Sequence, residues 1–178
     1  MIDETLADGH RWYRICESGA DDPLDGARAA AGGGRWNPPG SWPTVHLNDD
    51  VVTARLNLDR FIAGWPYEPE DLDDAHGPHL AVATLPRGQT VADAHTPAGL
   101  AALRLPATYP VGATGAMVGH ERCQRIGGRA HDAGLRGVHC RSVLAPRGAS
   151  TELAWFPAAA SSRARLLDRL AFTEWFWG

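Results

Sequence analysis

Residues 32–40 read GGGRWNPPG: three glycines, an arginine, a tryptophan and an asparagine, closed by two prolines and a fourth glycine. Consecutive glycines let backbone N–H groups converge and approach a ligand closely, which is what an anion-binding nest requires. Gly33 and Gly34 sit inside that run, and Arg35 adds a fixed fork of donors matched to phosphate oxygens. Trp36 offers a flat apolar face on which a base or similar ring can stack. The other reading open at this point is a structural loop around a core tryptophan.

Working outward, residues 21–40 read as one long loop, preceded by a short strand at 11–16 (RWYRIC). In that strand Arg14 stands between Tyr13 and Ile15, and alternation can aim it at a cleft. An inward arginine needs an anionic partner, either a carboxylate of the protein or a ligand phosphate, because a buried unpaired charge is costly. After the loop, residues 44–47 (TVHL) form a second strand. Asn48, Asp49 or Asp50 then caps a helix to about Ile62, with Val52, Leu56 and Asp59 marking successive turns.

Residues 64–78 are polar, acidic and proline-containing, hence loop, and strands follow at 79–85 and 90–92. Thr96 before Pro97 signals a short helix to about Leu103. A longer helix is expected over 114–133, although Gly119, Gly127 and Gly128 weaken it. Strands at 137–143 and 151–156 are joined by a turn at 146–150, and 162–177 reads as an amphipathic helix ending in Trp175, Phe176 and Trp177. Neither a repeat nor a linker divides the chain, so the expectation is a single α+β domain over 1–178.

Composition narrows the function classes. The chain has 178 residues and a formal net charge of −4, so it lacks the basic footprint of a direct nucleic-acid binder. All 17 of its Lys-plus-Arg cations are arginine, which excludes a lysine Schiff base or lysine general base. The glycines and prolines, 20 and 13, cluster rather than repeat, as long shaped loops require. Three well-separated cysteines, Cys16, Cys123 and Cys140, do not make a disulfide framework and suit a reducing cytoplasm. Residues 1–10 are polar and acidic without a signal-peptide pattern, and no apolar run reaches the ~18 residues of a membrane span.

Histidines tempt a metal reading: His76 and His79, His120 and Cys123, His139 and Cys140 lie close in sequence. None gives the paired ligand spacing of a zinc site, so no metal is expected. Ser142, in the second-last of the expected strands before the terminal helix, reads from its residue type alone as a satisfied strand serine. Nucleophile elbow, Walker loop and dinucleotide fingerprint are all missing from the sequence.

Taken in order, these pieces resemble the RES domain, a family named for an Arg, a Glu and a Ser. The matching stretches are Tyr13-Arg14, DPLDGARAAAGGGRWNPPG at 22–40, the strand and helix at 45–58, CQRIG at 123–127 and GLRGVHCRSV at 134–143 with the strand that follows. The resemblance spans about residues 11–156. It implies an ADP-ribosyltransferase-like α+β fold, with two small mixed sheets around a ligand cleft and flanking helices. It also implies an enzyme that consumes NAD as substrate, by phosphorolysis, hydrolysis or ADP-ribosyl transfer. Such proteins are toxins of toxin–antitoxin pairs, whose antitoxins carry an Xre-like helix-turn-helix domain. A homo-oligomer is left open.

Carried over by position, the family's arginines fall on Arg14 and Arg35 and its serine on Ser142. Its glutamate falls on Asn57, and the tyrosine usual in the preceding strand is His46. Breaking a nicotinamide–ribose bond builds oxocarbenium-like positive charge, which a carboxylate stabilises. Losing such a preorganised contact typically costs ~10²–10³ in rate, on the order of 3–4 kcal/mol. Asp59 stands nearly on the opposite helix face from Asn57, and Glu152 is a remote stand-in.

Three readings follow. In the first, Arg14 and Arg35 grip a pyrophosphate, Trp36 or Tyr13 contacts a ring, Ser142 binds nicotinamide or ribose, Asn57 positions the ribose and His46 assists binding or proton transfer. In the second, Asn57 and His46 mark a repurposed or degenerate scaffold for another phosphorylated or nucleotide-like ligand. In the third, residues 172–177 are the sticky surface of a partner-binding module.

Overall fold

Strand alternation sets the central sheet. Val45 and Leu47 of β3 (Val45–Asn48) and Leu153 and Trp155 of β7 (Thr151–Trp155) bury one face. Trp12 of β2 (Trp12–Cys16) and Val91 of β5 (Thr90–Ala94) join them there. On β7 the alternate residue, Ala154, packs with Val138 and Cys140 of β6 (Gly137–Arg141) in a second cluster, as the period of two requires. The computed structural model describes residues 1–144 and 150–178, and of Asp59 and Phe61 the backbone only. The turn expected at 146–150 therefore lies, except for Ser150, outside the described residues.

The strands, including β1 (Asp3–Thr5), β4 (His79–Thr84) and β8 (Arg165–Leu170), run in the order β1-β5-β6-β7-β3-β2-β4-β8. The β5–β6 pair is parallel, and the other named pairs are antiparallel. The two expected small sheets are thus one hydrogen-bonded order. They remain recognisable, because β2 and β3 share a single register pair, Tyr13 with Asn48. By contrast β3 pairs with β7 at four positions and β2 with β4 at five. The sheet is nearly split at this seam, and residues of both seam strands line the main cleft.

Helix α2 (Val51–Phe61) starts at Asp50, whose carboxylate accepts from the Thr53 backbone N–H at 2.6 Å and the Thr53 hydroxyl at 2.8 Å. Its buried stripe is Ala54, Leu58 and then Ile62, four residues apart. The expected turn markers Val52 and Leu56 are exposed, and the side chain of Asp59 is outside the described residues. Thr96 caps α3 (Pro97–Ala102) as expected, accepting from Gly99 N–H.

Three expectations need correction. The Ala-rich stretch within the supposed loop forms α1 (Ala27–Gly32), since four of its six residues are alanine, the best helix former. Helix α4 (His120–Asp132) starts at residue 120 rather than 114, because Gly115 takes a φ of +81°, a turn conformation that interrupts any earlier helix. The 162–177 helix is instead β8 followed by α5 (Phe172–Trp177). The β8 backbone completes a ladder with β4 across a bulge at Val82/Ala83, satisfying its polar groups where the side chains alone suggested a helix. Phe172 and Trp175 are buried in a core cluster with Leu58 and Leu80, which makes the aromatic end chiefly a core element; Trp177 stays exposed.

At the opposite edge, β1 is pinned by Glu4. Its carboxylate takes His139 Nδ1 at 2.7 Å and His95 Nε2 at 3.1 Å. Burial opposes the charge, but the hydrogen bonds and charges of His139 and His95 outweigh it and hold the Glu4 pKa down to about 2. The same carboxylate raises His95 above its ordinary value. A depressed acid stabilises above its unfolded pKa and loses that contribution as pH falls towards 2; the raised His95 stabilises below about 6.5 and loses it as pH climbs through its folded value. The thermal midpoint should therefore peak between these limits, and Glu4→Gln should flatten the profile. An unchanged pH profile for Glu4→Gln would dismiss this clamp.

Candidate functional site

The glycine-rich segment follows directly on α1 and packs against α4. Gly33 ends α1 at φ +74°, a backbone conformation that favours glycine, and its N–H donates to Ala29 O at 2.8 Å. Gly34 N–H closes a turn onto Asn37 O at 2.8 Å. A side-chain carbon at Gly34 would stand 2.8 Å from both Asn37 Oδ1 and His46 Nε2, so glycine is what lets the loop lie against β3. Both N–H groups are spent inside the loop. Gly33 and Gly34 therefore line the cleft by close approach rather than as the anion nest expected from the sequence.

Trp36 also departs from its expected role. Its side chain is 1% exposed and belongs to the core beneath the cleft, where its indole N–H lies 3.3 Å from Cys140 Sγ. Of the two readings offered by the sequence, the core tryptophan holds for this ring. Helix α4 fixes the loop above it: Gln124 donates to Gly34 O at 2.9 Å, and a carbon at Gly127 would stand 1.8 Å from Trp36 O. The glycine that weakened the sequence case for α4 is the notch into which the loop backbone fits.

The result is a cleft of about 550 Å³ at the sheet seam. Four arginines reach it: Arg14 from β2, Arg28 from α1, Arg35 from the loop and Arg60 from the last turn of α2. Arg14 donates to Asp25 O at 3.0 Å and Arg35 to Val118 O at 2.9 Å. Among the described residues neither forms a carboxylate salt bridge. Burial lowers the Arg14 pKa from its ordinary value, against the pull of Cys16, Asp25 and Asp22, yet a guanidinium stays charged at neutral pH. Two guanidinium groups held by backbone carbonyls, with no carboxylate of their own among the described residues, have the chemistry to take an anionic ligand.

His46 lines the cleft from β3 with its side chain exposed there. Desolvation first, then the charges of Arg14, Arg60, Arg35 and His120, bring its pKa down to about 4. It is neutral at physiological pH. Beside it in the cleft stands a carboxylate, Glu152 of β7. Glu152 Oε1 accepts from the Ser142 hydroxyl at 2.5 Å and from Asn57 Nδ2 at 3.3 Å. The Asn57 amide also donates to Asn48 Oδ1 at 2.8 Å and Thr53 O at 3.1 Å, and Asn48 in turn donates to Tyr13 O at 3.0 Å.

The cleft thus gathers Arg14, Gly33, Gly34, Arg35, His46 and Asn57 along its walls, with Trp36 contributing to the lining from the loop. Ser142 is fully buried and reaches the cleft only through Glu152. Tyr13 packs against the α2–α5 cluster instead. Sequence reasoning missed Arg28, Arg60, His120 and Asn48 as lining residues, and left Glu152 remote. A legible signal existed for Arg60, one helical turn beyond Asn57. For Glu152 the signal needed the register, which sets it opposite both Cys140 and Asn48.

Metal-ligating atoms converge elsewhere, at the Glu4–His95–His139 clamp, where they lie within 4.8 Å of one another. They come from three distant stretches, invisible to spacing, and they hydrogen-bond among themselves. No described helix is long and apolar enough to cross a membrane. All three cysteines are free and buried.

One mixed eight-stranded sheet, nearly parted at the seam where the cleft lies, with helices laid on its flanks, defines an α+β fold. The RES domain model matches residues 11–173, and the chain belongs to the RES family. That match runs past residue 156 to take in β8 and the start of α5. The fold is similar to that of a chain in the crystal structure of the M. tuberculosis MbcT–MbcA toxin–antitoxin complex, with a TM-score of 0.74 and 19% identity, covering 99% of this chain and 92% of that one. No curated protein matches the chain.

Proposed function

We propose that this RES protein binds NAD in the seam cleft and breaks the bond between nicotinamide and ribose, acting as the toxin of a toxin–antitoxin pair. The observation that carries the reading is four arginines lining a cleft whose described lining holds one carboxylate, with Arg28 at the exposed edge 3.7 Å from Glu17. Arg14 and Arg35 take the pyrophosphate, with Arg28 and Arg60 at the rim. Arginine forks suit paired phosphate oxygens and hold them in a defined orientation. The cleft volume falls within the ~300–1,000 Å³ of small-molecule and cofactor sites. Neutral His46 and the Asn57 amide supply hydrogen bonds to ribose hydroxyls without adding charge.

The acceptor of the ADP-ribosyl group is water, phosphate or a protein side chain. Membership of the RES family and the toxin–antitoxin setting of the similar structure support an antitoxin partner. Purified protein incubated with NAD, with and without phosphate, should release nicotinamide, and calorimetry should register NAD binding. Neither release nor binding under any acceptor would end the reading. The amide of Asn57 favours a second one, a scaffold for another phosphorylated ligand. Binding of nucleoside diphosphates in preference to NAD, without nicotinamide release, would support it.

A further inference from the structure

We infer that Glu152 of β7 is the carboxylate that faces the ribose in this cleft, and that Ser142 and Asn57 are its positioning residues. The inference rests on the NAD reading above and assigns the charge-stabilising step within it. Glu152 is the only carboxylate among the described lining residues of the cleft. Its Oε1 is held by the Ser142 hydroxyl beyond β6 at 2.5 Å and approached at 3.3 Å by Asn57 Nδ2 on α2, which shares its two hydrogens with Asn48 and Thr53. Among the described residues no donor is hydrogen-bonded to Oε2. A carboxylate fixed through one oxygen, with the other open, is preorganised to meet developing positive charge without moving.

The anchors explain each other. Ser142 is fully buried, and its hydroxyl proton goes to Glu152 rather than to a ligand. Asn57 suits this place by geometry: its Nδ2 lies 3.3 Å from Glu152 Oε1, where a carboxylate would set one acceptor oxygen against another. The amide at this position brings a donor instead of a second charge, and its bonds to Asn48 and Thr53 hold it in place.

The chemical step balances as follows. The C1′–N bond breaks, and its electron pair leaves with the nicotinamide nitrogen, which becomes neutral. The positive charge passes to C1′ and the ring oxygen of the ribose, opposite the Glu152 carboxylate. An oxygen of water or phosphate then bonds to C1′; with water, the surplus proton passes to solvent.

The test measures nicotinamide release, NAD affinity and thermal midpoint for wild type, Glu152→Gln, Glu152→Asp and Ser142→Ala. Glu152→Gln is expected to bind NAD within about threefold of wild type while kcat falls ~10²–10³-fold. Glu152→Asp keeps the charge and should retain at least about tenfold more activity than the Gln variant. Ser142→Ala should lower kcat by a smaller factor at unchanged KM. A Gln variant as fast as wild type, or Asp and Gln variants equally slow, overturns the role of Glu152 and leaves the NAD reading standing. Wild-type protein that binds NAD without cleaving it overturns the role and spares only the binding half of that reading. Wild-type protein that neither binds nor cleaves NAD overturns both.

Discussion

Replacing Arg14 and Arg35 together by alanine is expected to weaken NAD binding by about a thousandfold, since each charge-assisted hydrogen bond is worth ~1.5–3 kcal/mol and each 1.4 kcal/mol is tenfold. The two guanidinium groups come from separate elements, Arg14 from β2 and Arg35 from the loop that α4 clamps. Both hold their place through backbone carbonyls, leaving other N–H groups of the fork free for phosphate. Because those carbonyl contacts are lost too, thermal midpoints must accompany the affinities. The double Lys variant supplies the control: it keeps both charges but loses the forks, so binding should fall by less and should weaken further as salt screens the point charges. Alanine variants that bind NAD as well as wild type would remove the basis for assigning the cleft to a dinucleotide.

How much of this was readable in advance differs by element. The strand at 11–16, the helix capped by Asp50 and the Thr96-Pro97 start were written locally, in alternation and caps. The seam was not, because a single Tyr13–Asn48 pair is a matter of how strands splay and not of their composition. The terminal helix failed for a related reason: RLLDRL at β8 pairs with β4 through backbone groups, to which an amphipathic pattern is blind. In the site, Arg14, Arg35, His46 and Asn57 were legible because they belong to continuous stretches. The Glu152 position was not, since only the register of β7 with β3 and β6 lifts it beside Asn57 and Ser142. Gly33 and Gly34 show the converse error, in which residue type was read as ligand chemistry although their N–H groups close the loop itself.

Trp36 gives the sharpest separation between a packing role and a binding role. A ring stacked on a ligand leaves stability nearly unchanged when removed and takes ligand affinity with it. A ring 1% exposed, tilted against Tyr109 at 6.1 Å and touching Cys140, does the reverse. Trp36→Ala is therefore expected to destabilise the fold by ~3–5 kcal/mol, the usual cost of truncating a buried aromatic. For a chain of this size that corresponds to a fall in thermal midpoint on the order of 10 °C. Binding should fail as a consequence, because the loop carrying Arg35 rests on this side chain. The Phe variant separates the two effects: it refills most of the volume, so it should recover most of the midpoint and, with it, NAD affinity, although it has no indole N–H for Cys140. A Trp36→Ala protein as stable as wild type but blind to NAD would return the ring to the ligand and take the core assignment away.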